Sequence, residues 1–190
     1  MNRSELIAGH PVLDLVNTVS WRGDPARRTE RLPDFDALLS WSARAGLIKE
    51  AERGGLGRTP ARGAQALADT RRLRERLHQA LTATEARRPE AIKLMWPQLT
   101  AALRHARPEG LPLQLTIELR EPNDLTRRLA LLALQFLTSE DVRLVSACAD
   151  HDCGWVFLDR SRNRTRRWCS SGDCGNRNRV RLYNARHAPD

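Results

Sequence analysis

The apolar positions of the chain fall mostly at helical spacing. Val12, Leu15, Val16 and Val19 repeat at i, i+3, i+4 and i+7 behind Pro11, which predicts a short buried helix. Trp21 to Arg31 is polar, holds Gly23 and Pro25, and reads as a loop. Pro33 and Asp34 open a second helix with Phe35, Leu38, Leu39, Trp41 and Ser42 inside it, Gly46 at its end, and Leu47 and Ile48 packing just beyond. Gly54, Gly55, Gly57 and Gly63 predict a flexible connection, with Thr59-Pro60 capping the helix that follows. Leu67, Leu73, Leu77 and Leu81 line that long helix. Its Arg71, Arg72, Arg74 and Arg76, interleaved with Asp69, Glu75 and Glu85, read as a solvated face. Pro89 opens another helix, holding Ile92, Met95, Leu99 and Leu103, in which Pro97 predicts a kink or a break. Leu111, Leu113, Leu115, Ile117 and Leu119 alternate with polar residues, the pattern of a half-buried strand. After a turn and N-cap at Glu121–Asp124, Leu125, Leu129, Leu132, Ala133, Phe136 and Leu137 predict a strongly apolar helix central to the core.

These elements give an α+β class. Residues 1–143 form a mostly helical N-terminal domain with a short antiparallel sheet or hairpin, and residues 144–190 a small second domain. Length supports this division: 190 residues suffice for one ordinary domain and a small one. Leu144, Val145 and Ala147 run into Cys148 with little linker, so the small domain is expected to be docked rather than loosely tethered.

All four cysteines lie in that small domain. Cys148 and Cys153 form one C-x4-C pair, Cys169 and Cys174 a second, and fifteen residues separate the pairs. Two thiolate pairs fill the four tetrahedral corners of a zinc ion and leave no open position, so one structural Zn2+ held by Cys148, Cys153, Cys169 and Cys174 is the leading reading. Disulfides need an oxidising compartment, and nothing targets the chain to one. Four free buried cysteines would not come as matched pairs. A rubredoxin-like iron site uses the same donors and stays open. His151, between Cys148 and Cys153, could replace a thiolate; a solvated loop histidine is the favoured reading.

Charge turns the metal site toward a function. The chain carries a net +9, and between Arg160 and His187 the sole acid is Asp173. Arg160, Arg162, Arg164, Arg166 and Arg167 fill the inter-pair loop, and Arg177, Arg179, Arg181 and Arg186 follow Cys174. Guanidinium groups match phosphate oxygens and guanine edges, and an unmixed stripe of them is the footprint of nucleic-acid binding. A solvated face normally mixes both signs. Only Lys49 and Lys93 are lysines, so arginine outside this stripe, which a compositional bias would also produce, is discounted.

The second pair ends Cys174-Gly175-Asn176-Arg177, and residues from about Cys148 to His187 resemble the CGNR zinc finger, named for those four letters. The resemblance implies a treble-clef-like module proposed to bind DNA, in which the first pair sits on a knuckle, a β-hairpin follows and the last cysteine opens a helix. Trp155 to Leu158 would supply the hairpin strand, and Gly175 would let the backbone turn near the metal. Asn176 would cap a helix over about 177–186, with Val180 and Tyr183 facing the small core and Arg177 and Arg181 sharing an outer face. The DNA-contacting candidates are Arg160, Arg162, Arg164, Arg166, Arg167, Asn176, Arg177, Arg179 and Arg181. Asn176 and Arg177 serve first to cap and pin the knuckle.

GHPVLDLVNT, at Gly9–Thr18, followed by LPDFDALLSWSARAGL, resembles the start of the ABATE domain. That domain commonly precedes a CGNR finger in bacterial stress-response transcription regulators, which implies a ligand-sensing or regulatory role for the N-terminal part. Asp14 and Asn17 sit inside the first apolar stretch. They either tie down a neighbouring loop, the favoured reading, or line a pocket for a small-molecule effector.

The function expected is a one-component, DNA-binding transcription regulator, as a monomer or a homodimer. A zinc-bearing RNA-binding protein and a small-molecule-binding protein whose finger serves protein docking are the alternatives. No catalytic set emerges: the five histidines are scattered, no G-x-S-x-G is present and the cysteines belong to the metal, so an enzyme is not expected. No apolar run spans a bilayer and the first residues are broken by Glu5, His10, Pro11 and Asp14, so a cytoplasmic protein without membrane partners is expected.

Overall fold

A computed structural model of the protein describes residues 6–56 and 60–187. It contains seven α-helices among the described residues: α1 (Pro11–Val16), α2 (Phe35–Arg44), α3 (Glu50–Leu56), α4 (Pro60–Thr82), α5 (Arg88–His105), α6 (Pro122–Thr138) and α7 (Asn176–Arg186). Three two-stranded antiparallel sheets accompany them: β1 (Val19–Ser20) with β2 (Thr29–Glu30), β3 (Arg107–Glu109) with β4 (Gln114–Thr116), and β5 (Val145–Ala147) with β6 (Val156–Leu158). The α+β class, mostly helical with short sheets and a C-terminal finger, is as the sequence predicts. No helix among the described residues is long and apolar enough to cross a membrane.

The chain forms two compact units, divided at residues 30/31 and 139/140. The unit of residues 31–139 is built on α4, α5 and α6. Leu73 and Leu77 on α4, Met95 and Leu99 on α5, and Leu125, Leu129, Ala133 and Phe136 on α6 are all buried. A polar stitch joins α4 to α6: the Thr70 and Thr126 hydroxyls lie 2.9 Å apart, and Thr126 also donates to the Ala66 carbonyl. Asp34 caps α2 by accepting from the Ala37 N–H, and Gly46 ends it in the left-handed region at φ +70°. Asp124 accepts from the backbone N–H groups of Arg120 and Glu121, which fixes the entry to α6.

Four expectations about this unit need correction. Gly54 and Gly55 lie within α3 and Gly63 within α4, so these three do not form a flexible connection; Gly57 and Thr59 lie outside the described residues. Gly63 has a packing role, since a Cβ there would sit 2.8 Å from the Phe35 ring. Of the kink or break expected at Pro97, the break does not occur: helix α5 continues through it, with Met95 and Leu99 buried on either side. Burial of that face outweighs one missing backbone hydrogen bond. The alternating leucines give a small hairpin, not a half-buried strand: Ile117 is buried, whereas Leu111 and Leu113 are exposed near its tip. Finally, Arg74 is buried beside Glu75 and Arg71 donates to the Leu32 carbonyl, so the arginines of α4 are not a uniformly solvated face.

The other unit joins residues 6–30 to residues 140–187. Its core is Trp155, Phe157, Cys153, Cys169 and Cys174, with Ile7, Cys148 and Trp168 packed against them. Asn17 pairs with both polar groups of one residue across the unit: its Nδ2 donates to the Val156 carbonyl at 2.8 Å and its Oδ1 accepts from the Val156 N–H at 3.0 Å. The Trp155 indole donates to the Val19 carbonyl at 2.9 Å, and the Leu158 N–H donates to the Ala8 carbonyl at 2.8 Å.

Candidate metal centre

The strands β5 and β6 position the first cysteine pair. They form a hairpin with Ala147 opposite Val156, and Cys148 and Cys153 lie on the loop at its end. The Cys148 N–H donates to the Trp155 carbonyl and the Cys153 N–H to the Asp150 carbonyl, which folds the loop back on itself. The hairpin therefore carries the first pair, where a hairpin after that pair was expected. Between the pairs, the chain leaves β6 into a loop organised by Asp159, whose carboxylate accepts from Ser161 and from the Arg166 N–H. The Ser161 hydroxyl, first among its partners, holds this carboxyl below the usual carboxylate range.

The second pair enters α7 through a single wide turn at Ser171–Gly175. Ser170 caps that turn by accepting from the Asp173 N–H, and Asn176 already has helical backbone angles, so Asn176 is not the cap predicted for it. Gly175 is also helical; its lack of a side chain matters because a Cβ would sit 3.1 Å from the Trp168 ring.

The four sulfurs converge. Their Sγ atoms all lie within 4.8 Å of one another, with 3.7 Å between Cys153 and Cys169 and 3.5 Å between Cys169 and Cys174. A tetrahedral zinc thiolate, with bonds of about 2.3 Å, needs neighbouring sulfurs about 3.8 Å apart. No pair is at disulfide distance. Hydrogen bonds from Cys153, Cys169 and Cys174 hold the Cys148 thiol far below the ordinary thiol range. The Cys153 and Cys169 thiols are pushed up, with their contact to Cys148 the first cause. The Cys174 thiol is lowered as well, to about 6, so a bare cluster favours thiolates at Cys148 and Cys174 and resists the other two, and a divalent cation removes that resistance. The donor set and spacing fit one structural zinc. His151 is exposed and turns toward Asp152, outside the sulfur cluster.

The acids of the knuckle are the feature that sequence reasoning missed. Asp150, fully buried, accepts from Arg177 Nε at 2.8 Å and from Arg181 Nη1 at 3.2 Å. Asp152 accepts from Arg181 Nη2 at 2.6 Å and from Arg27 Nη2 at 2.9 Å. Arg177 also donates to the Cys174 sulfur at 3.0 Å and lies over the Trp21 ring at 4.3 Å. These aspartates sit in plain view between Cys148 and Cys153, Asp150 two positions after one ligand and Asp152 one position before the other, and the signal was their sign within a basic region. With His151 they form an acidic cluster, but three guanidinium groups already neutralise it.

The predicted DNA-contacting arginines therefore divide. Arg177 and Arg181 share a face of α7, as predicted, but it is the face turned to Asp150 and Asp152. Arg166 stacks over Phe157 at 4.2 Å and donates to the Trp168 carbonyl at 3.0 Å. Arg160 pairs with Asp141 at 2.9 Å yet stays mostly exposed. Arg162, Arg164, Arg167 and Arg179 are exposed, and Asn176 is exposed at the start of α7. Val180 and Tyr183, expected in the small core, are 50% and 63% exposed. Asp14 and Asn17 are buried, with Asp14 accepting from the Ala8 N–H and Asn17 bound to Val156.

Two protein-family models match the chain. The family model named ABATE, described as "Putative stress-induced transcription regulator", matches residues 9–140, and that of the CGNR zinc finger matches residues 145–187. No curated protein matches the chain.

Proposed function

We propose that this chain, which belongs to the ABATE family and carries a CGNR zinc finger, regulates transcription by binding duplex DNA through that finger. The observation that carries the reading is the row of exposed arginines fixed around a metal-clamped core. Over residues 145–187 nine arginines face four aspartates, and three of those aspartates are buried. With Arg166, Arg177 and Arg181 also turned inward, the outward charge is almost unmixed: six exposed arginines against Asp173 alone. Arg160, Arg162, Arg164, Arg167 and Arg179 contact phosphate in this reading, with Asn176 on the same surface. Arg166, Arg177 and Arg181 hold the surface in shape.

The division of work follows the predicted boundary, with residues 144–190 as the DNA element and the preceding residues as the regulatory part. A small-molecule effector acts through the helical unit, where a cavity of about 430 Å3 is lined by Lys49, Glu52, Arg107, Glu118 and Arg128. Catalysis is no part of this reading.

The test is binding to a labelled duplex over a salt series, with single-stranded RNA as competitor. Neutralising four or five phosphates gives a slope of about −4 in log K against log salt. Replacing Arg164 or Arg179 by alanine removes about one phosphate contact from that slope. Binding that stays flat across the series contradicts the reading, and preferential loss to single-stranded RNA favours the RNA-binding alternative.

A further inference from the structure

Helix α7 has two faces of opposite use. One face carries Arg177 and Arg181, which are spent on Asp150, Asp152 and the Cys174 sulfur, and Asn178, which donates to the Cys174 carbonyl at 2.9 Å. The opposite face carries Arg179, Leu182, Tyr183 and Arg186, which follow one another at helical spacing. Leu182 is 59% exposed and Tyr183 63% exposed, so a helix held rigidly on one side presents large apolar groups to solvent on the other. No residue of α7 is buried, and its outer groups contribute nothing to the core. From Asn176 to His187 there is no acid, so the face is cationic along its whole length.

We infer that the outer face of α7 enters the DNA major groove and reads base edges there, with Leu182 and Tyr183 as specificity-determining residues between Arg179 and Arg186. This rests on the proposed DNA-binding function and deepens it. The dimensions agree: eleven residues make a rod about 16 Å long and about 10–12 Å across, and the major groove is about 12 Å wide. The chemistry agrees as well. Guanidinium groups read guanine edges, and apolar side chains pack on the thymine methyl group, a feature that only the major groove displays. The positive charge selects a polyanion over an apolar protein partner. Arg177 and Arg181 are excluded from base contact because their guanidinium groups are already committed to Asp150 and Asp152.

The experiment uses the zinc-loaded full-length protein and two variants, Leu182→Ala and Tyr183→Ala, each checked for retained zinc. A randomised duplex pool yields the preferred site, and affinity is then measured for that site and for an unrelated duplex. The expected result is that the variants bind the unrelated duplex within about twofold of wild type, with the same salt slope, while preference for the selected site falls about tenfold or more. Variants that keep the wild-type preference overturn this inference and leave the DNA-binding reading standing. A wild-type protein that binds no duplex overturns both. Loss of affinity for both duplexes alike also overturns the inference, since it makes the face a general contact and not a reader of sequence.

Discussion

Arg177 and Asp150, 27 residues apart, form an ion pair in which the Arg177 Nε stands 2.8 Å from a carboxylate that is wholly buried. The same guanidinium reaches the Cys174 sulfur, so one side chain ties the knuckle of the first cysteine pair to a ligand of the second. Its charge offsets both the buried carboxylate and the excess negative charge of a zinc tetrathiolate. Replacement by alanine strands Asp150 with Arg181 and one backbone N–H. Arg177→Ala is expected to cost about 2–4 kcal/mol of stability and to weaken zinc retention about 10–100-fold. Chemical denaturation of the zinc-loaded protein and competition with a chromophoric chelator measure the two effects. Arg177→Lys keeps the charge but not the fork of donors, so it should restore only part of each. Unchanged values in the alanine variant would show the pair to be idle.

The first 30 residues are expected to be as necessary to the finger as its own cysteines. Gly23 donates its N–H to the Asp152 carbonyl, and a Cβ on it would lie 2.0 Å from the His151 carbonyl oxygen. Neither backbone can yield locally, so Gly23→Ala separates the two segments. Asn17→Ala leaves both polar groups of the buried Val156 without a partner, a loss of about 2–4 kcal/mol. Both variants should release zinc to a chelator faster than wild type. Equal release rates would show that the finger holds its metal without the N-terminal segment.

Burial raises the Asp14 carboxyl to about 6, against the lowering effect of its backbone hydrogen bonds to Ala8 and Ile7. The folded state therefore holds this proton at a pH where the unfolded chain has lost it. Stability tied to Asp14 is fullest below the unfolded value near 3.8 and is lost as pH rises through about 6, where the buried group must ionise. Asp14→Asn keeps an oxygen for the Ala8 N–H and carries no charge. Relative to wild type it should gain about 1–3 kcal/mol at pH 8 and progressively less toward pH 5. Denaturation of both proteins over that range, with zinc present throughout, gives the difference directly. A gain independent of pH would contradict the assignment.

The metal site was legible because matched cysteine spacing encodes it locally, and α1, α2, α4 and α6 were legible because their apolar residues recur at helical period. The orientation of α7 was not. Its apolar residues suggested a core-facing side, yet Arg177 and Arg181 turn inward because buried acids await them, and Val180, Leu182 and Tyr183 turn out. Periodicity assigns a face by hydrophobicity alone and has no term for a carboxylate 27 residues away. The union of residues 17–23 with the knuckle was hidden for the same reason. Its contacts are backbone groups together with Asn17, the Trp155 indole and the Trp21 ring, and its traces in the sequence were Asn17, read as tying down a neighbouring loop, and Gly23, read as a loop glycine. At Pro97 and Gly63 local preference was clear and tertiary packing overrode it.

The dependence of DNA binding on the metal is tested most directly by duplex binding of the protein carrying one zinc per chain and of the same sample after chelation, over one salt series. The expected result is steep, salt-dependent binding by the loaded protein, loss of most of that affinity on stripping, and recovery when stoichiometric zinc is returned. Equal affinity and slope for the loaded and stripped protein, or a purified protein without stoichiometric zinc that binds duplex as well, would contradict it.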